Sequence, residues 1–145
     1  MVTNRLARFD QAFLRDSGLP VMTRPVRFQS LVRAMGYALQ GLRDAWRSQP
    51  HLRLHVYFGS GMVALGALCR LSVAEWLWVL FAVGLVIFAE LMNTTIEQAV
   101  DLVVGLRPDP LARRIKDIAA GAVLVAAILA ALIESLTFLP HLLRG

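Results

Sequence analysis

Apolar residues recur with a helical period along most of the chain, and that period changes character at a few marked breaks. Between Arg27 and Arg47 they fall at Phe28, Leu31, Val32, Met35, Leu39, Leu42 and Trp46, one face of a helix. Arg33, Gln40, Arg43, Asp44 and Arg47 take the other side. A stripe this narrow, with arginines opposite and a tryptophan at its end, predicts a helix over 27–48 lying on a membrane surface. Pro50 marks a bend. The run "VYFGSGMVALGALC" holds only 14 residues between His55 and Arg70, short of the roughly 20 a span requires. Snorkelling Arg53 and Arg70 extend it, predicting a first membrane helix over about 52–71. Its small residues (Gly59, Ser60, Gly61, Ala64, Gly66, Ala67) suit close approach to a neighbouring helix.

"RLSVAEW" reads as a tight turn, with Ser72 as N-cap and Trp76 and Trp78 placed for an interfacial belt. A second membrane helix follows over about 74–104, roughly 45 Å long and able to emerge beyond the bilayer. "GLRPDP" breaks it. Asp109 as N-cap and Pro110 at the first helical position open a third membrane helix, expected to end near Leu139, before Pro140. The fold class is therefore all-α integral membrane: an amphipathic surface helix followed by three membrane helices. Residues 1–25 contain no seven-residue apolar core and are interrupted by Asp10, Arg15 and Asp16. They read as a loosely ordered leader, not a cleavable signal, ahead of one domain over 26–145.

Composition supports the membrane reading. The chain of 145 residues is 57% hydrophobic, and its mean hydropathy is +0.60. Nine of its fifteen basic residues lie within the first 53 positions. This asymmetry fits a basic cytoplasmic part better than a nucleic-acid surface, for which no arginine and aromatic groove is visible. Arg107, Arg113, Arg114 and Lys116 join that basic side, whereas the 70–75 turn offers only Arg70 and Glu75. The expected orientation has the N-terminus and the 105–116 loop cytoplasmic and the C-terminus outside. The single cysteine, Cys69, excludes an intramolecular disulfide and any cysteine-rich metal site.

The chemistry lies in "FAELMNTTIEQAVDLV", residues 88–103. Glu90, Asn93, Glu97 and Asp101 fall at about 0°, 300°, 340° and 20° around the helix. Such a face belongs in a polar crevice rather than against lipid. Carboxylates one turn apart, with an amide between them, suit divalent-cation binding or proton abstraction. The alternative is a solvated extension above the membrane, which fits Asp101 better than Glu90. Lys116, the one lysine against fourteen arginines, supplies a compact ammonium for phosphate contact beside Asp117. No Walker A sequence, soluble-kinase signature or G-x-S-x-G elbow occurs.

"ELMNTTIEQAVD" resembles the E-x-x-N-[ST]-x-I-E-x-x-V-D signature of the small bacterial diacylglycerol kinase and undecaprenol kinase family. "GYALQGLRDAW" is similar to that family's surface helix and "DPLARRIKDIAAGAVLVAAI" to its third-helix entry. The resemblance covers about residues 28–139. It implies a homotrimer with sites at subunit interfaces, transferring the ATP γ-phosphoryl group to the hydroxyl of a membrane lipid, undecaprenol or diacylglycerol. Carried over by position, Glu90 is the general base and Asn93 orients the reacting groups. Glu97 holds Mg²⁺, Asp101 supports the nucleotide side, and Lys116 and Asp117 contact phosphates and adenosine. Tyr37 matches a nucleotide-contacting tyrosine. Where the family carries a second metal-binding glutamate, this chain has Gln49, whose amide oxygen can ligate Mg²⁺ but adds no charge. His51 and His55 read as polar lining near the headgroups, because Mg²⁺ prefers oxygen ligands.

Two rival readings stand beside this one. A catalytically silent membrane oligomer would use the acidic face for assembly, and Gln49 supports it. An ion-conducting bundle would need a polar path, which the dry run "LWVLFAVGLVIF" does not provide on the second membrane helix.

Overall fold

The structure, a computed structural model, describes residues 28–105 and 107–144. The 1–25 leader lies outside the described residues. The chain divides into two units, Met1–Tyr37 and Ala38–Gly145. Of the first unit, residues 28–37 are described, and they form the opening turns of a helix.

Four helices carry the described residues: α1 (Phe28–Ser48), α2 (Pro50–Cys69), α3 (Val73–Val104) and α4 (Pro110–Arg144). The last three are long and apolar enough to cross a membrane. The apolar stripe of α1 remains uncovered within the chain: Leu31, Val32, Met35, Leu39 and Leu42 are all exposed. That is the pattern of a helix whose apolar face is turned to lipid.

Sequence signals set the breaks. Gln49 is extended (φ −108°, ψ 104°) and hands over to α2, whose first residue is Pro50. At the far end of α2, Arg70 takes the left-handed conformation (φ 54°). The Arg70 and Leu71 N–H groups donate to the carbonyls of Ala67 and Gly66, closing the helix with a Schellman-type turn. Ser72 caps α3 reciprocally: its Oγ accepts from the Glu75 N–H at 3.4 Å, and its own N–H donates to Glu75 Oε2 at 2.7 Å. Asp109 caps α4, its Oδ1 accepting from the Leu111 and Ala112 N–H groups at 2.7 and 2.8 Å.

α3 packs chiefly on α4 and next on α2, while α2 and α4 touch only slightly. The α3–α4 pair is antiparallel and in one register throughout. Asp101 meets Lys116 at one end, Ala82 and Val86 meet Ala126 and Ala130 midway, and Glu75 meets His141 at the other end. Alanines at the midpoint let the two backbones approach, as in other membrane helix pairs. Gly59 does the same for α2 against α3: a Cβ there would fall 2.5 Å from Val83 Cγ1.

One feature differs from expectation and another adds to it. α4 does not stop before Pro140 but continues to Arg144. Proline forfeits one backbone hydrogen bond, and the His141–Glu75 contact of 2.8 Å ties the added turn to α3. Trp76 does more than offer a ring for an interfacial belt. It is half-buried against the cluster of Leu71, Val79 and Phe138, and its ring lies beside Gly66. Trp78 is exposed and meets Phe81 edge-on, as a lipid-facing aromatic would.

Candidate functional site

The polar face of α3 emerges from the apolar pair at Glu90. This residue is buried, with 5% of its surface exposed. Its neighbour one turn on, Thr94, is equally buried. Among the described residues no hydrogen-bond donor reaches the Glu90 carboxylate. An acid on so enclosed a stretch of helix, with no protein donor of its own among these residues, is free to accept from a ligand.

Asn93 and Glu97 are linked. Asn93 Nδ2 donates to Glu97 Oε1 at 3.2 Å, which fixes the amide so that its oxygen faces away from the carboxylate. That oxygen, Asn93 Oδ1, is buried and has no partner among the described residues. An orphaned amide oxygen next to a carboxylate suits a donor group on a ligand, or a hard cation such as Mg²⁺ with its preference for oxygen. The set fits that ion, which commonly takes one or two carboxylates plus substrate phosphates and water. No group of three His, Cys, Asp or Glu side chains suited to a metal occurs among the described residues. Gln49, the other candidate ligand, caps α2 by its backbone only, and its side chain makes no capping bond.

The remaining candidates gather where α3 hands over to α4. Lys116 Nζ donates to Asp101 Oδ1 at 2.6 Å, so the lone lysine is paired across the turn. Asp117 faces Arg113 at 3.9 Å, with both side chains well exposed. These four line a cleft of 860 Å³ under the Gly105–Pro110 turn. Its lining sets three cations, Arg107, Arg113 and Lys116, against three carboxylates, Asp101, Asp109 and Asp117. Within one chain, Glu90, Asn93 and Glu97 thus lie together on α3, and one turn further on Asp101 meets Lys116 of α4, next to Asp117. Tyr37 belongs to the first unit, where its ring is exposed.

A second groove, of 580 Å³, flanks the acidic face. Asp44, Ala45 and Ser48 of α1 form one wall, and Leu91, Thr94, Thr95 and Gln98 of α3 the other. Trp46 packs edge-on against Tyr57 at 5.8 Å, fixing the end of α1 to α2. Sequence reasoning did not single out Thr94, although its place four residues after Glu90 put it on the same face.

The sequence profile of the family described as prokaryotic diacylglycerol kinase matches residues 36–138. The chain belongs to that family. It is a membrane lipid kinase and uses ATP as phosphoryl donor. The kinase is 36% identical to the undecaprenol kinase of Bacillus subtilis (strain 168) over 106 residues, 73% of this chain and 85% of that one. It is also 36% identical to a diacylglycerol kinase of Synechocystis over 114 residues, 79% of this chain and 65% of the relative. Identity to the diacylglycerol kinase of Escherichia coli (strain K12) is 34%, covering 71% of this chain and 84% of the relative.

Proposed function

We propose that the kinase transfers the γ-phosphoryl group of ATP to the hydroxyl of undecaprenol or diacylglycerol on the polar face of α3. The observation that carries this reading is Glu90, a buried residue whose carboxylate accepts from no donor among the described residues, one turn from the Asn93–Glu97 pair. Glu90 takes the acceptor's hydroxyl proton. The hydroxyl oxygen then bonds to the γ-phosphorus as the bond to the β-bridging oxygen breaks and ADP leaves. Asn93 orients the reacting groups, and its orphaned Oδ1 is available to a hard cation beside Glu97. Glu97, with the neutral amide oxygen of Gln49, would hold a Mg²⁺ whose charge offsets that of the phosphate oxygens. Phosphoryl transfer depends on such positioning and charge neutralisation more than on covalent help.

On this reading Lys116 leaves Asp101 for the ATP phosphates, Asp101 supports the nucleotide side, and Asp117 and Tyr37 contact the nucleoside. The same reading makes the kinase a homotrimer, with each site completed at a subunit interface. Residues 26–145 make up the kinase domain, preceded by the 1–25 leader. The active face lies at the cytoplasmic side of the bacterial inner membrane, since ATP comes from water and the acceptor from the bilayer.

The test supplies undecaprenol and diacylglycerol separately to the purified kinase with ATP and Mg²⁺. Transfer to one lipid, at least tenfold above the other in kcat/KM, names the acceptor. No transfer to both, from a folded oligomer, favours a structural assembly instead.

A further inference from the structure

The ionisable groups in the apolar half of the α3–α4 pair are matched, with one exception. Glu75 has Ser72 and His141, and the Thr137 hydroxyl donates to the Ile133 carbonyl at 2.8 Å. Glu134 has no hydrogen-bond partner among the described residues, although it sits within a membrane-crossing helix. The α3–α4 register puts it opposite Ala82, eight residues and roughly 12 Å along the helix from Glu90. It is therefore no part of the face proposed for phosphoryl transfer. An ionisable side chain at that depth normally marks a function and faces a partner or a cavity.

A cavity is there. Glu134 lines a 370 Å³ hollow between α2, α3 and α4. Phe58 of α2 and Val83 and Val86 of α3 form apolar walls, and the small side chains of Ala127 and Ala131 leave the α4 side open. His55 is the other titratable lining group. At about 30 Å³ for each water-sized group, the hollow has room for on the order of a dozen heavy atoms. Its chemistry is an apolar sleeve with an acid along its wall.

We propose that this cavity binds a membrane-partitioned amphiphile, with a slender hydrocarbon body and a head that donates a hydrogen bond to Glu134. A hydroxyl and a primary ammonium share that chemistry. The first meets the carboxyl in its neutral form and the second meets it ionised.

The experiment uses the full chain in lipid nanodiscs and measures the rate at which dicyclohexylcarbodiimide, an apolar carboxyl reagent, labels Glu134. Dodecanol, dodecylamine and dodecane are added in parallel. At ten times its Kd a bound head leaves about one site in eleven open, so labelling slows about tenfold. Protection by dodecanol identifies a hydroxyl-bearing ligand, and protection by dodecylamine an ammonium. Dodecane gives none. Ala127→Phe, which narrows the hollow two turns along α4 from Glu134, removes the protection. In thermal unfolding, the protecting ligand stabilises the unaltered chain but not Glu134→Leu. Equal protection by dodecane would overturn the proposal, as would the same stabilisation in Glu134→Leu. Labelling that is blocked without ligand and opens only when the oligomer dissociates would also overturn it, by showing that a second copy fills the hollow.

Discussion

The α2–α3 crossing offers a prediction whose size follows from geometry. A Cβ added at Gly59 meets Val83 Cγ1 at 2.5 Å, with Cγ2 at 3.4 Å and Cβ at 3.5 Å. Ordinary carbon contacts lie near 3.5–4.0 Å, so one contact is short by about 1 Å. Val83 cannot turn away cheaply, because a β-branched side chain in a helix keeps one χ1 rotamer in about 90% of cases. Overpacking of this kind costs about 1–3 kcal/mol. Against it stands the better helix propensity of alanine, about 1 kcal/mol. Gly59→Ala should thus be destabilising by up to about 2 kcal/mol in the unaltered chain. In a Val83→Ala background the clash is absent, and the same change should stabilise by about 1 kcal/mol. The coupling between the positions is then about 1–3 kcal/mol. Unfolding of all four variants in mixed micelles, followed by circular dichroism, measures it. A Gly59→Ala effect of the same sign and size in both backgrounds would refute the close approach.

Three further outcomes are expected. Lys116→Met should raise the KM for ATP at least tenfold in steady-state assays, yet change stability by less than about 1 kcal/mol, because its ion pair with Asp101 is partly exposed. Asp109→Ala strips the cap from two α4 N–H groups, so the unfolding free energy should fall by about 0.5–2 kcal/mol. Gln49→Glu should lower the Mg²⁺ concentration for half-maximal activity, and an unchanged Mg²⁺ titration would remove Gln49 from the metal site.

What the sequence disclosed, it disclosed through local periodicity. The narrow stripe of α1, the three apolar runs and the caps at Ser72 and Asp109 each depend on residues a few positions apart, as does the polar face from Glu90 to Asp101. What it concealed depends on register between helices. Lys116 reaches Asp101 across 15 residues because the Gly105–Pro110 turn sets α4 antiparallel to α3, and spacing alone does not encode that. The same register brings His141 to Glu75, 66 positions away, carries α4 past Pro140, and leaves Glu134 facing a hollow. The packing of Trp76 was hidden for a related reason. Its place near a helix start suits an interfacial ring, and the bare surface of Gly66 opposite gives that ring a packing site as well.

The central claim is that Glu90 removes the acceptor's proton. Glu90→Gln keeps the shape of the side chain and loses only the proton acceptor, so single-turnover transfer from bound ATP tests the claim most directly. General-base catalysis contributes about 10²–10⁴-fold, or roughly 3–5 kcal/mol of barrier. The account predicts a loss of that size, with ATP binding and the oligomer unchanged. A variant that transfers phosphate within tenfold of the unaltered kinase would contradict it.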